Sequence, residues 1–311
     1  MSKGLTATLI TLLSVLAIGI VVALVLLLKT EFKFDFTNIE ANSLSKKLVE
    51  EKEINDIKDL DISNGVADII IEEQERSTIK VELYSENVKK HSISDLDDKI
   101  SIVFEQKSSV NFGLFTKSPN IKIYLPKEYD KNIKIDSNVG DIKIAYLKKA
   151  TTNINLTTGD IKIKDIDTAK IDVRTGDVKI EKINELVSTV GTGDIKVNTA
   201  KNIISEVTTG DTKVETVSDI VSKNQVGDTK IQVVKNSLDI YSKTGDVKVQ
   251  EATIKKNSKI TSDVGDVKIG STKGCYVEGS SKVGDTNINN PDRKSDIILK
   301  VTNRIGDIRV N

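Results

Sequence analysis

Apolar and polar side chains alternate along most of the chain beyond residue 60. In Gly159-Asp160-Ile161-Lys162-Ile163 the two isoleucines flank a lysine, the period of a strand with one buried face. Upstream of the next glycine, Ile171, Val173 and Thr175 keep that period, but Val178 and Ile180 fall at an odd offset from Thr175. The inward phase therefore flips across Gly176-Asp177. A flip needs a corner or a bulge, and glycine tolerates the backbone angles such a bend demands. The same Gly-Asp unit recurs at Gly140, Gly159, Gly176, Gly193, Gly210, Gly227, Gly245, Gly265, Gly284 and Gly306, at intervals of 17 to 22 residues. A β-branched residue precedes every one of these glycines. Ile, Val or Thr stands two positions after each, and Ile or Val four positions after. Between those two sits Lys in eight units, with Asn287 and Arg309 in the others. The glycines are read as structural corners.

Units this short cannot close a core alone, but stacked they pair each strand with its equivalent one unit on. The chain is thus predicted to be all-β, a parallel β-solenoid (β-helix) of about ten coils of 17–22 residues. At ~4.8 Å per coil the rod would be roughly 45–50 Å long. The pattern leaves open its handedness and whether each coil has two faces or three. Extra residues, Lys273 to Lys282 and Asn290 to Lys300, are expected as surface loops. Stacking turns Asp141 to Asp307 into a ridge with a lysine ladder two residues further on. Like charges ~4.8 Å apart in water repel by ~0.9 kcal/mol. The lysines and backbone N–H groups near the corner are expected to offset this. The chain stops one strand into the tenth unit, at Asn311, which predicts an open sheet edge there. Arg304, Arg309 and the Asn290–Lys300 insert would partly protect that edge.

The preceding residues divide into three parts. Leu5 to Leu28 is an uncharged run of 24 residues, 19 of them hydrophobic. As a helix it would reach ~36 Å, enough to cross a ~30 Å hydrocarbon core. A cleaved signal peptide normally has an apolar region of only ~7–15 residues and a small-residue cleavage site. No such site follows Leu28, so residues 1–30 are read as one uncleaved N-terminal transmembrane helix with a short tail. Lys3 faces Lys29 and Lys33 across the run, so charge hardly sets orientation; the short tail favours an extracellular repeat domain. Residues 31–60 read as a juxtamembrane spacer, with Phe32, Phe34 and Phe36 alternating with charges and a short helix over Ser43 to Glu53. Residues 61–135 read as an N-terminal β cap, and Asp61 to Ile71 is a degenerate copy of the repeat unit. Residues 136–311 are the repeat solenoid. The loop Ser108 to Pro119 carries Val110, Phe112, Leu114 and Phe115, read as a flap over the cap or as an exposed apolar contact.

Composition narrows the chemistry. Forty-six basic residues balance 46 acidic ones, which argues against an electrostatic grip on nucleic acid. A single thiol, Cys275, allows no internal disulfide, and the lone His91 allows no histidine-based metal or catalytic cluster. Beyond the apolar run about 34 % of residues are hydrophobic, which fits a thin core. No helix follows the Gly-Asp pairs, which argues against a phosphate cradle. Calcium-binding β-rolls have nine-residue repeats without the alternating lysine. No catalytic, cofactor-binding or metal-binding residues are assigned.

Leu60-Asp61-Ile62-Ser63-Asn64-Gly65, Ile123-Tyr124-Leu125-Pro126-Lys127 and the Thr/Val-Gly-Asp-Ile/Val-Lys-Ile/Val units resemble the bacterial putative adhesin family, a domain of unknown function that includes LiaG-like surface proteins. The resemblance covers roughly residues 58–311. It implies a β-helical surface domain and carries over no catalytic residues. The expectation is a non-enzymatic, single-pass protein of a Gram-positive cell surface, meeting the wall, an envelope component or a membrane protein. The alternatives are a polysaccharide-acting β-helix enzyme and an accessory to a membrane sensor kinase. A β-helix enzyme needs a local carboxylate cluster beside aromatics. Here the repeat spreads the charges evenly, and the chain has no Trp.

Overall fold

The repeat strands alternate two kinds of step, and this sets the cross-section of the molecule. The computed structural model describes residues 48–85, 90–105, 119–289 and 292–311. The Leu5–Leu28 run, the spacer before residue 48 and the Val110–Phe115 loop lie outside the described residues. Among the described residues no helix is long and apolar enough to cross a membrane. Residues Lys46–Asn311 form one compact unit with its own continuous aliphatic core.

Its N-terminal strands are β1 (Leu48–Ile54), β2 (Asp59–Val66), β3 (Asp68–Gln74), β4 (Ile79–Tyr84), β5 (Lys90–Asp95), β6 (Lys99–Glu105), β7 (Asn120–Pro126) and β8 (Asn132–Val139). The regular strands follow: β9 (Ile142–Thr158), β10 (Ile161–Thr175), β11 (Val178–Thr192), β12 (Ile195–Thr209), β13 (Thr212–Val226) and β14 (Thr229–Thr244). In β10 the buried residues are Ile161, Ile163, Ile166, Ala169, Ile171 and Val173. Steps of two mark straight segments. Steps of three, at Ile163 to Ile166 and Ile166 to Ala169, mark bends, where Cα pairing with the next turn lapses at Lys164 and Asp167. With the corner at Gly176 each turn therefore has three segments. Arg174 and Thr175 are both exposed, so the phase change begins two residues before the glycine. Consecutive turns pair in parallel with equivalent residues opposite, as in Ile161 with Val178 and Val178 with Ile195. The ten corners bound a parallel β-solenoid of about nine turns, one fewer than the count of units suggests.

Both ends depart from chain order. The degenerate unit, β2 and β3, is a real turn and lies inside the stack. β2 pairs in parallel with β6 on one side and β8 on the other, while β3 pairs with β7 and β9. Antiparallel strands close the outside: β5 on β6, β4 on β7, and β1 on β4. Residues 48–53 are therefore strand, not the short helix their charge suggests. Cross-strand pairing explains it, because Glu51 meets Lys80 at 3.3 Å and Glu53 meets Arg76 and Thr78 while Ile54 is buried opposite Ile79.

The C-terminal strands are β15 (Val247–Thr253), β16 (Ser258–Val264), β17 (Val267–Lys273), β18 (Tyr276–Val283), β19 (Thr286–Ile288), β20 (Ile298–Ile305) and β21 (Ile308–Val310). β20 lies between β16 and β18, and β21 between β17 and β19. The chain's last strand is thus an interior rung. Asn311 N–H donates to the Ile269 carbonyl at 3.1 Å, and Val310 accepts from Asn289 N–H at 2.9 Å. This corrects the expected open edge at Asn311: the outermost turn is β18–β19. Hydrophobicity supplies the reason. β20 and β21 offer Leu299, Val301, Ile308 and Val310 to the core, all buried, whereas β18 offers Val277, Gly279 and Ser281. The more apolar turn takes the two-sided position and the more polar turn closes the end, with Ile288 packed over Gly279.

Candidate functional site

The corners build the most regular surface feature of the molecule. All ten corner glycines have φ between 130° and 145°, a region that side chains exclude. The Asp after each glycine points its Oδ1 along the stack and accepts the backbone N–H of the next Asp, at 2.8–3.0 Å. The ladder starts at Asp68 of the degenerate unit. It ends Asp266, Asp307, Asp285, following the swapped order of the last turns. At five corners the second carboxylate oxygen meets the cation two residues on: Lys179 on Asp177 at 2.9 Å, Lys213 on Asp211 at 3.1 Å, Lys230 on Asp228 at 2.9 Å, Lys268 on Asp266 at 3.0 Å and Arg309 on Asp307 at 3.0 Å. Burial works to raise Asp177, but the Asp194 N–H and the Lys179 ammonium outweigh it and hold it below the usual carboxylate range. Asp228 is lowered against burial in the same way by Lys230 and the Asp246 N–H.

Each rung is therefore a structural hydrogen bond with a carboxylate acceptor. Asp211→Ala should destabilise the solenoid by about 1–2 kcal/mol, because the Asp228 N–H loses its acceptor. Asp211→Asn keeps an oxygen acceptor and should cost less than half as much. Urea unfolding midpoints of the two variants check this, and equal losses would assign the effect to charge alone.

Beyond the corners the lysine ladder borders a cleft of about 390 Å³, lined among others by Lys196, Lys213, Lys230 and Lys248 together with Glu215, Gln232 and Gln250. It spans consecutive turns, so its chemistry repeats along the rod. A different, non-repeating cluster lies on the N-terminal cap. Buried Glu82 accepts from Tyr84 Oη at 2.7 Å and Tyr124 Oη at 3.2 Å and pairs with Lys80 at 2.7 Å. Burial would raise the Glu82 carboxyl, but Lys80 and the phenols hold it low. Burial and the Glu82 carboxylate push Tyr84 up to about 12 and raise Tyr124 as well. This cluster is an ionised carboxylate wrapped by protonated phenols, and it ties β4 to β7.

A family model described as Toastrack DUF4097 matches residues 57–300, from β2 into β20. The chain belongs to this family. Among solved structures, the Toastrack chain is similar to a putative lipid binding protein from Parabacteroides distasonis, with 15 % identity over 71 % of this chain and 96 % of that one and a TM-score of 0.44. A putative adhesin from Bacteroides fragilis aligns with 13 % identity over 86 % of this chain and 98 % of that one, with a TM-score of 0.36. A putative cell adhesion protein from Clostridium sporogenes aligns with 14 % identity over 85 % and 99 % of the two chains, with a TM-score of 0.24. No curated protein matches the chain.

Sequence reasoning located the corners but missed two features of the Toastrack surface. The Glu82–Tyr84–Tyr124 network joins residues 42 apart in strands of opposite direction, and no local motif records that. The other is a row of exposed aliphatics, Val187, Ile204 and Val221, in matching positions of three turns. Aligning the turns column by column would have exposed it, because polarity inverts there.

Proposed function

We propose that this Toastrack chain is a membrane-anchored, surface-exposed β-solenoid that binds rather than catalyses, an adhesin or a cell-envelope interaction or stress-response accessory protein. The observation that carries this reading is how the exterior polar groups are used. Corner carboxylates are committed to backbone N–H groups turn after turn, and those of Asp177, Asp211, Asp228 and Asp266 hold a lysine as well. The Glu82 cluster on the cap carries a carboxylate held ionised and phenols held protonated, unsuited to acid–base work near neutral pH. What the outside offers is a long, evenly spaced face with a lysine-bordered cleft. Such a face suits an extended envelope component that contacts several turns at once, or a membrane-protein partner. The Leu5–Leu28 run supports a single-pass anchor with the solenoid outside the cell. Fractionation of intact cells tests this reading. Full-length protein should sediment with membranes, and external protease should remove nearly everything beyond residue 30. Soluble mature protein starting near Thr30, or complete protection from the protease, would overturn it.

A further inference from the structure

One column of the longest segment breaks the in–out rule of the fold. In the turns on either side, the outward residue is charged and the next, inward residue is aliphatic: Lys170 then Ile171, and Asp239 then Ile240. In the three turns between them the order is inverted. Val187, Ile204 and Val221 point outward, 42 %, 53 % and 48 % exposed, and are followed by Ser188, Ser205 and Ser222, all buried. Ser205 and Ser222 bond each other at 3.0 Å, and the buried Ser188 hydroxyl has no hydrogen-bond partner. Stability of an isolated rod favours the opposite assignment at all three rungs. An inversion confined to three consecutive rungs of one column calls for something that covers it.

The column reads Lys170, Val187, Ile204, Val221, Asp239 along the stack, each in register with the next. It is self-complementary on reversal. We propose that this face is the interface of an antiparallel homodimer, two solenoids packed sheet on sheet about a two-fold axis that runs along the strands through Ile204. Ile204 then meets the partner's Ile204, Val187 meets the partner's Val221, and at both ends Lys170 meets the partner's Asp239, which Lys259 of its own chain also holds at 3.2 Å. A two-fold axis along the stack would instead set Lys170 against the partner's Lys170. In the adjoining column Glu206, already held by Lys223 at 2.7 Å, lies beside its copy and the partner's Lys223, a neutral group of four charges. The next column sets exposed Arg174 opposite the partner's Lys243, a like-charge contact that weakens the pair. At the bend, Glu185 and Asp219 are bonded in-chain by Asn202 and Asn236 and mark the edge of the contact.

Five rungs of about 4.8 Å and seven residues of about 3.3 Å give roughly 550 Å² per partner, about 1,100 Å² in all, below the size of stable complexes. The pair is therefore weak and concentration-dependent. Its two N-terminal caps lie at opposite ends. Where the anchor reading of the preceding subsection holds, the pair would bridge two apposed membranes, but the pairing rests on the solenoid alone.

Residues 46–311, a compact unit with its own core, suffice for the test. Cys275 is buried, with its thiol pushed up to about 11, so it stays silent under mild oxidation. Ile204→Cys, on the axis, should crosslink to itself at least about tenfold more than Lys248→Cys, a control on another segment. Lys170→Cys should not crosslink to itself, but mixed with Asp239→Cys it should give the covalent heterodimer. In sedimentation equilibrium, Ile204→Lys should weaken association at least about tenfold, with no change in melting temperature. A monomer at every concentration, association indifferent to Ile204→Lys, or Lys170→Cys linking to itself would overturn the proposal.

Discussion

Gly193→Ala should destabilise the solenoid by more than about 4 kcal/mol, whereas Lys196→Ala, three residues along the same turn, should change it by less than about 0.5 kcal/mol. Gly193 sits at φ 143°, where an L side chain is strained by ~1–3 kcal/mol before any contact is counted. A β-carbon there would also fall on the carbonyl oxygen of Gly176, the corner one turn away. That oxygen cannot retreat cheaply, because Gly176 N–H is bonded to Thr192 at 2.9 Å and the Asp ladder binds the adjacent peptides. Gly193→Val should be worse still. Lys196 extends from an outward, half-buried position beside the cleft, and no strained backbone or corner contact depends on its side chain. Urea unfolding of residues 46–311 measures both variants. Equal midpoints would show that the corner does not need glycine.

The second large effect is expected at the C-terminus. Truncation after Asn289 removes β20 and β21, which carry the buried side chains of Leu299, Val301, Ile308 and Val310. In a solenoid stacked in chain order, this would trim the last turn and leave β18 and β19 in place. In the observed order it removes both strands that β18 and β19 pair with, as well as the outer neighbours of β16 and β17. Amides of residues 276–288 should then exchange at least about a hundredfold faster, and aggregation should rise as the apolar edge of β16–β17 is uncovered. Retained protection over residues 276–288 would mean that β18 and β19 had docked directly on β16 and β17.

The contrast between these two experiments shows what the chain makes legible. The corner is local: a glycine, an aspartate and a phase change within four residues announce it, and stacking follows because a unit of this length cannot bury its own face. Alternation likewise reports which side of Ile161, Ile163, Ile171 and Val173 faces the core. The two bends within each turn were written there too, as steps of three at Ile166 and Ala169, but a reading tuned to period two passes over them. Stacking order is different in kind. Every unit carries the same edge groups, so β20 matches β16 as well as β18 does, and pairing alone does not choose. The choice is made by which turn gains more from burial on two sides, a comparison of Leu299 and Val301 with Gly279 and Ser281 that chain order hides. At the N-terminus the charged stretch over residues 48–53 suggests a helix for the same reason: the partner that makes it a strand, β4, lies 25 or more residues away.

The out-of-order insertion that closes the C-terminal end of the solenoid can be tested by where three residues meet. Thr261 and Thr302 face each other on adjacent rungs, their hydroxyls 3.4 Å apart, and Thr302 pairs in turn with Ser280. Cysteines placed in pairs at these positions report the order of the turns. Under mild oxidation Thr261→Cys with Thr302→Cys should crosslink within the chain, as should Thr302→Cys with Ser280→Cys, while Thr261→Cys with Ser280→Cys should not. A crosslink between positions 261 and 280, with none between 261 and 302, would contradict the account.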